Sequence, residues 1–219
     1  IEDAAEVLGL SYKNKKCGSF GDLSTFSFYA NKQVTTGEGG MISVNSEKLY
    51  KKCNSLKNLC FGKINRFNHD DLGWNYRLTN IQAALGLSQL KNIKNTIRKK
   101  MEIGNYYYEK LKFNNNIQIL PPFNSFSKNI YWVVGILIKN KKMTALNLSK
   151  KLLKFGIETR PFFWPMHQQS IFKKLKLFKN QNYPNSTYLS KYGLYVPSYL
   201  LLKKREINKI SNVINKILR

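Results

Sequence analysis

The stretch DLSTFSFYANKQVTTGEGGMISVN, residues 22–45, contains the pattern from which the fold can be inferred. Its first eight residues largely alternate between polar and apolar or aromatic side chains, which is typical of a β-strand. A second short strand, GMISVN, begins at Gly40, and the glycines before it indicate a turn. The connecting loop contains one lysine, Lys32. A lysine close to the end of a buried strand loses hydration that a surface lysine keeps. Lys32 therefore either marks the end of the strand or has a chemical role.

Periodic patterns beyond this stretch predict helices joined by further strands. Helices are predicted over 46–60, from Thr79 to about residue 112, over 144–156 with Gly156 as the closing residue, and over 203–218. An ordered loop is predicted over 61–78, and strands over 117–120 and 130–138. The helix from residue 79 to 112 would be ~50 Å long, enough to link two domains. The mixture indicates an α/β or α+β architecture with a boundary near residues 105–116.

The charge of the chain limits the classes of function. Lysine and arginine number 37 against 12 acidic residues, which gives a formal net charge of +25. Only 6 of the basic residues are arginine, although arginine is the side chain that forks onto phosphates and base edges. The lysines are scattered along the chain, so we expect nonspecific attraction to polyanions and no specific nucleic-acid partner. A basic nucleic-acid-binding protein stays open as an alternative.

Cysteine and histidine usage indicates a reduced protein without a metal centre. The three cysteines form no CxxC pair, and their odd number is typical of a cytoplasmic protein. With only two histidines, no set of ligands has the spacing of a zinc site. No segment approaches the ~18 uncharged apolar residues of a membrane span, and no signal peptide is visible. We therefore expect neither a metal nor a membrane partner.

Three segments offer candidate functional residues, each with a structural alternative. Asp3 in IEDAAE has the surroundings of a strand end, where α/β enzymes place ligands, but a helix-capping Asp fits the spacing too. Lys32 could serve as an amine nucleophile if buried, or be one solvated lysine among 31. The segment TTGEGGM could bring backbone amides to a ligand, but it lacks the spacing of known phosphate-binding loops, and a turn explains it equally well.

Taken in order, the segments EDAAE (2–6), GSFGDLSTFSFYANKQVTTGEGGMISVN (18–45) and DLGWNYRLTNIQAALGLSQL (71–90) resemble the DegT/DnrJ/EryC1/StrS family of sugar aminotransferases. The resemblance is dense over residues 1–95 and looser to the end of the chain. It implies an α/β fold, namely the C-terminal part of a fold-type-I transferase that depends on pyridoxal phosphate. Residues 1–105 would belong to the large cofactor-binding domain and end in a linking helix, and residues 106–219 would form a small α+β domain.

The same resemblance assigns roles to residues of the first half. Lys32 matches the lysine that holds pyridoxal 5'-phosphate as a Schiff base, and Asp3 matches the acid that keeps the pyridine nitrogen protonated. Ser27 matches a hydroxyl that contacts the cofactor phosphate. Asn75 matches a phosphate ligand supplied by the other subunit, which implies a homodimer with shared active sites. Glu6 stands near the ring hydroxyl, at a position where many members carry Gln.

The reaction implied is a two-stage transamination. An amino donor, L-glutamate, would leave its nitrogen on the cofactor as pyridoxamine 5'-phosphate, with the Lys32 amine moving the proton. The amine would then pass to a keto group on a nucleotide-linked sugar. Relatives that act as sugar dehydratases carry His at this position, so Lys32 indicates an aminotransferase. The family resemblance alone implies a surface-polysaccharide or glycan pathway.

The segment IETRPFFWPMHQQ (157–169) resembles the one in GDP-perosamine synthases, which aminate a 4-keto-6-deoxy sugar. Arg160 and His167 would contact the anionic part of the nucleotide sugar, although a packed Pro-aromatic turn is the structural alternative. A synthase of dTDP-4-amino-4,6-dideoxyglucose would have a similar sequence.

One feature departs from the family pattern. Members carry a phosphate-binding turn and a cofactor-stacking aromatic residue before the EDAA motif, and this chain begins at IEDAAEV. We therefore expect that the chain is part of a longer reading frame, or the product of a split or decayed gene. A catalytically silent remnant that serves only as a subunit partner stays open as an alternative.

Overall fold

The computed structural model describes residues 1–65 and 67–219. These residues form two compact units. The first unit comprises Ile1–Arg98 and Phe123–Trp132, and the second comprises Lys99–Pro122 and Val133–Arg219. The division into domains 1–105 and 106–219, which the family resemblance implies, stays a prediction.

The first unit contains a three-stranded sheet built around the strand predicted from residues 22–29. Its strands are β1 (Glu2–Asp3), β4 (Leu23–Ser27) and β5 (Gly40–Val44), in the order β1-β4-β5. Strand β1 runs parallel to β4 with Asp3 opposite Thr25, and β5 runs antiparallel with Gly40 opposite Ser27. A separate hairpin pairs β2 (Ser11–Tyr12) with β3 (Lys15–Lys16). Both predicted strands of the opening stretch are confirmed.

The helices of the first unit begin at polar caps. Helix α1 (Glu47–Lys57) begins after Ser46, whose side chain accepts a hydrogen bond from the Leu49 amide. Helix α2 (Asn80–Leu90) begins with a capping box, in which Thr79 and Gln82 satisfy each other's backbone amides. The helix predicted over 46–60 is confirmed over most of its length, and the predicted loop 61–78 contains no helix among its described residues.

The predicted single helix from Thr79 to residue 112 is wrong, because a second helix, α3 (Ile93–Leu111), begins after a turn at residues 91 and 92. The carbonyl of Asn92 accepts bonds from the amides of Asn95 and Thr96, both at 3.1 Å, and so starts the new helix. Asparagine favours helix ends because its short polar side chain competes for backbone groups. The apolar period continued across this turn and concealed it.

The second unit packs helices on a four-stranded antiparallel sheet. The strands are β6 (Ile117–Ile119), β7 (Val134–Ile138), β8 (Arg160–Pro161) and β9 (Gly193–Val196), and they lie in the order β6-β7-β9-β8. The helices follow or separate the strands along the chain and are α4 (Ala145–Leu153), α5 (Ser170–Lys174), α6 (Pro184–Tyr192) and α7 (Lys204–Ile217). Strand β7 begins four residues later than predicted, and Tyr131 shortly before it has a left-handed φ of 47° that an extended strand does not contain.

The core of the second unit follows the predicted periodicities. Every second residue of β7 is buried, and α7 buries Ile207, Ile210 and Ile214 on one face. Gly156 has a φ of 71° just beyond α4, as expected of a residue that ends a helix. Among the described residues, no helix has both the length and the apolar character that crossing a bilayer requires.

Candidate active site

The loop between β4 and β5 holds Lys32 in a fixed backbone path. The Phe28 amide donates to the Gly39 carbonyl at 2.9 Å, and the Phe28 carbonyl accepts from the Thr36 amide at 2.9 Å. These bonds close the loop at its base, while the Lys32 amide donates to the Tyr29 carbonyl at 3.0 Å. Gly37 and Gly39 have φ values of 80° and 140°, which explains why the turn after the lysine contains glycine.

The Lys32 side chain is only 9% exposed. Its Nζ lies 3.3 Å from Oε1 of Glu6, which is 45% exposed, and 3.9 Å from the centroid of the Trp132 ring. The carboxylate balances the charge of the ammonium, and the ring shields it from water while its π-face attracts it. The alternative of a solvated surface lysine does not fit this burial.

Asp3 and Ser27 lie at the ends of neighbouring parallel strands. Asp3 is the last residue of β1, and Ser27 ends β4 two residues beyond Thr25, the partner of Asp3. The carboxyl ends of parallel strands meet at one edge of a sheet, where α/β proteins bind ligands, and the Lys32 loop leaves from that edge. Asp3 Oδ1 accepts from the Ala5 amide at 3.0 Å, and Ser27 Oγ accepts from the Tyr29 amide at 3.3 Å. Asp3 thus ends a strand, and the alternative that it caps a helix is wrong.

Glu2, which the sequence did not single out, anchors the segment before β4. Its carboxylate accepts bonds from the Gly18 and Phe20 amides at 2.6 and 2.8 Å and from the Ser24 hydroxyl at 2.9 Å. The Gly21 amide is a fourth, longer donor at 3.4 Å. These donors, above all Gly18, lower the pKa of Glu2 to about 2. Because Glu2 precedes Asp3 directly, this cluster of bonds fixes the strand that presents Asp3.

Helix α2 holds the Thr-Thr turn that follows Lys32. The Gln89 side chain accepts from the Thr35 amide at 3.1 Å and donates to the Thr35 carbonyl at 2.7 Å. Two helical turns earlier, Gln82 Nε2 donates to the Glu38 carbonyl at 3.0 Å. A Cβ on Gly86, between them, would lie 3.0 Å from Thr36 Cγ2, so glycine permits this close approach. Glutamines on a largely apolar helix, spaced seven residues apart, were the signal that sequence reasoning missed.

Asn75 lies in an exposed segment. Its Oδ1 accepts from Arg77 Nε at 2.8 Å, and its backbone forms an isolated bridge to Asn58. Beside it, the rings of Trp74 and Tyr76 stack in parallel, 6.1 Å apart. Among the described residues, no hydrogen bond links Asn75 to Lys32, Asp3 or Ser27.

Arg160 and His167 both lie in the second unit. Arg160 is an exposed residue of the edge strand β8, opposite Tyr195. His167 lies in a short 3₁₀ turn, where its Nε2 is 3.3 Å from Thr187 Oγ1 and its ring is 5.0 Å from that of Tyr183. His167 thus has structural partners on and beside α6, whereas the Arg160 guanidinium forms no hydrogen bond or ion pair with the described residues.

A model of the DegT/DnrJ/EryC1/StrS aminotransferase family matches residues 1–215. The chain belongs to this family. The resemblance inferred from EDAAE, the lysine loop and the NYR segment is therefore confirmed.

Curated members of the DegT/DnrJ/EryC1/StrS family match along nearly the whole chain. The chain is 38% identical over 222 residues to the GDP-perosamine synthase of Escherichia coli O157:H7, which covers 99% of this chain and 57% of that protein. The GDP-perosamine synthase of Vibrio cholerae is 35% identical over 215 residues, or 98% of this chain and 58% of that protein. The chain thus spans less than two thirds of the length of these relatives.

A solved structure shows the same fold. Helicobacter pylori PseC, an aminotransferase involved in the biosynthesis of pseudoaminic acid, matches with a TM-score of 0.89 at 29% identity. The match covers 99% of this chain and 58% of that one. The predicted fold class, an α/β chain that corresponds to part of a fold-type-I transferase, is confirmed.

Proposed function

We propose that the protein carrying this chain is a pyridoxal-phosphate-dependent aminotransferase. It moves an amino group from L-glutamate to a nucleotide-linked 4-keto-6-deoxy sugar, as a GDP-perosamine synthase does. The observation that carries the proposal is the burial of the Lys32 amine beside Glu6, in a loop that leaves the sheet edge where Asp3 and Ser27 lie. Membership in an aminotransferase family supports it.

The residues at this edge fit pyridoxal phosphate in chemistry. The cofactor needs an amine for its aldehyde, an anion for its ring nitrogen and hydrogen-bond donors for its phosphate, and the edge offers Lys32, Asp3 and Ser27. Asp3 is exposed, and its hydrogen bond from the Ala5 amide engages one carboxylate oxygen only. When bound, the cofactor supplies an electron-poor ring that stabilises negative charge on a neighbouring carbon.

Four residues besides Lys32 would then each have a defined task. With the cofactor bound, the Asp3 carboxylate would accept a hydrogen bond from the ring N–H and keep that nitrogen protonated, and the Ser27 hydroxyl would donate one to the phosphate. Glu6 would serve near the ring hydroxyl. The Asn75 amide would bind the phosphate in the other subunit's site, which would make the active enzyme a homodimer.

Lys32 has two tasks. At rest its amine would hold the cofactor covalently. Once freed by the amino donor, the same amine would take the proton from the donor's α-carbon and deliver it to the cofactor, which is general acid–base catalysis. The burial and the Glu6 partner keep this amine at one place while it is free.

The attachment is tested on the protein expressed from its complete reading frame. Pyridoxal phosphate is added, the visible absorbance is recorded, and the adduct is reduced with borohydride and located by peptide mass spectrometry. We expect a visible absorbance band from the cofactor bound to lysine, and a single peptide that carries the reduced adduct and contains Lys32. Lys32→Ala should lose both, whereas Lys52→Ala, which removes an exposed lysine bonded to Asp71, should keep both. Labels spread over surface lysines in the wild-type protein would overturn the proposal.

The sugar substrate is tested separately, in the second half-reaction. Loaded with amine from L-glutamate, the enzyme is offered the 4-keto-6-deoxy sugar on GDP or on dTDP, and the amino sugar is detected by mass spectrometry. We expect the GDP sugar to be preferred, because the GDP-perosamine synthases are similar to this chain. Arg160→Ala and His167→Ala should raise the KM for the sugar and leave the half-reaction with glutamate unchanged. Preference for the dTDP sugar would assign the alternative activity.

A further inference from the structure

Trp132 ends a segment, Phe123–Trp132, that belongs to the first unit although its neighbours on both sides along the chain belong to the second. The β2–β3 hairpin holds the middle of this segment. Tyr12 forms an isolated bridge with Ser127, the Lys13 amide donates to the Phe126 carbonyl at 2.9 Å, and the rings of Tyr12 and Phe126 are 5.8 Å apart. The segment therefore has a fixed anchor five residues before Trp132.

Trp132 contacts both ends of the Lys32 residue. Its indole Nε1 donates to the carbonyl of Asn31, the peptide group directly before Lys32, at 3.0 Å. Its ring face lies 3.9 Å from the Lys32 ammonium. The Trp132 side chain thus contacts both the backbone directly before Lys32 and the Nζ atom at the end of the lysine side chain.

The ring contact is placed where it has most effect. A cation over an indole is attracted most strongly when water is excluded, and the Lys32 side chain is 9% exposed. Glu6, the ionic partner of the amine, is 45% exposed, so solvent partly screens its charge. The indole face is therefore a second contact of the amine, beside an ion pair that solvent weakens.

We propose that Trp132 is a positioning residue for Lys32. Its ring face holds the free amine against Glu6 and keeps water from it, and its N–H fixes the peptide group that aims the side chain. The catalytic meaning of this contact rests on the proposed function, in which the free amine moves a proton. The contact itself is independent of any cofactor.

The test measures the chemical accessibility of Lys32 in the chain without cofactor. The protein is treated with a trace of acetic anhydride, and acetylation at each lysine is quantified by mass spectrometry. The ratio of Lys32 to Lys51, whose side chain is 74% exposed, is compared between variants. We expect Trp132→Ala to raise this ratio by about fivefold or more, because the ring no longer covers the amine. Trp132→Phe keeps a ring face and should restore most of the protection.

Two controls separate positioning from general loosening. Trp74→Ala removes a tryptophan of the same unit that stacks on Tyr76, and it should leave the ratio unchanged. Alkylation of Cys60, which is 1% exposed, should stay slow in every variant. The proposal is overturned by an unchanged ratio in Trp132→Ala, by equal loss of protection in Trp132→Phe, or by a parallel rise in Cys60 alkylation.

The outcome also separates this inference from the proposed function. If Lys32 is not the residue that binds pyridoxal phosphate, the borohydride label appears elsewhere while the acetylation ratios still respond to Trp132. If Trp132 does not position the amine, the ratios stay level while the label still appears on Lys32.

Discussion

At the scale of single residues, two adjacent carboxylates in β1 have different surroundings. Glu2 accepts hydrogen bonds from four donors in the segment 18–24, whereas Asp3 accepts one from the described residues, from the Ala5 amide. Successive side chains of a strand point to opposite faces, so neighbours in sequence meet different partners. Glu2 is therefore a structural acid, and Asp3 keeps a carboxylate oxygen available for a ligand.

The pKa of Glu2 predicts how stability depends on pH. Hydrogen bonds lower this pKa to about 2, below its ordinary value of 4.5. The carboxylate therefore stabilises the folded state fully above about pH 4.5, and this stabilisation disappears as the pH falls towards 2. We expect Glu2→Gln to lower the urea midpoint at neutral pH, and the difference from wild type to narrow between about pH 4.5 and 2. Glu47→Gln, at an exposed ion pair, should show no such narrowing. A gap that is constant with pH would contradict the prediction.

Lys100, in the second unit, predicts a second pH dependence of stability, at high pH. Its Nζ donates to the Ser198 carbonyl at 2.6 Å, and burial lowers its pKa to about 8, below the ordinary 10.5. The folded state therefore binds fewer protons than the unfolded state between these values, and stability rises with pH there. The free energy of unfolding of the wild type, relative to that of Lys100→Met, should rise by about 2 kcal/mol between pH 8 and 10. Urea unfolding at a series of pH values measures this difference.

Lys94→Met serves as the control for this prediction, because Lys94 is exposed on the same helix. Its free energy of unfolding should differ from that of the wild type by the same amount throughout the pH range. If the Lys100→Met difference were equally flat, the buried amine would not be the cause of the pH dependence.

At the scale of elements, helix α2 has a polar face that carries the lysine loop. Three residues of this helix are half-buried, namely Gln82, Gly86 and Gln89. They contact the turn at residues 35–38. This face explains why a helix with no buried residue is nevertheless fixed in the unit.

Removal of the Gln89 contacts should loosen the loop selectively. Gln89→Ala leaves the Thr35 amide and carbonyl without their partner, which costs ~1–3 kcal/mol for half-buried groups. We expect faster hydrogen–deuterium exchange in residues 33–37, with unchanged exchange in β7 of the second unit. Ser88→Ala, on the exposed side of the same helix, is the matched control. Equal exchange in both variants would show that the glutamine does not hold the turn.

At the scale of the whole molecule, the apolar side of α2 and the segment before it are exposed to solvent. Ile81 is 77% exposed, Leu87 60% and Tyr76 71%. Exposed apolar surface of this extent marks an interaction site, and it lies beside Asn75, the residue that the proposal assigns to the other subunit's active site.

We therefore expect self-association through this surface. Leu87→Lys should weaken the dimer of the protein about tenfold or more, because it places a charge within an apolar contact. Sedimentation velocity over a range of concentrations measures the effect. Leu146→Lys, on an exposed residue of α4 that is 64% accessible, should sediment like the wild type. Dissociation caused equally by both variants, or a wild-type protein that is monomeric throughout, would contradict the proposed interface.

Much of the fold could be predicted because its signals are local. The alternation in residues 22–29 and the apolar period of α7 depend on the chain's own geometry, so β4 and α7 were predicted close to their observed bounds. The turn at residues 91 and 92 was not predicted, because an apolar period that continues in phase contains no sign of a break. The late start of β7 was missed for the same reason, since Tyr131 looks like a strand residue.

The sequence by itself determined the family, the strand-loop-strand that carries Lys32 and the candidate acid at Asp3, because these depend on residue types at fixed spacings. The tertiary structure alone decided that Lys32 is covered by Trp132, a hundred residues away along the chain. It also decided that Glu2 binds the loop before β4 and that two glutamines of α2 hold the turn after the lysine. These contacts join segments distant in sequence, and only the packing of the chain brings such segments within hydrogen-bonding distance.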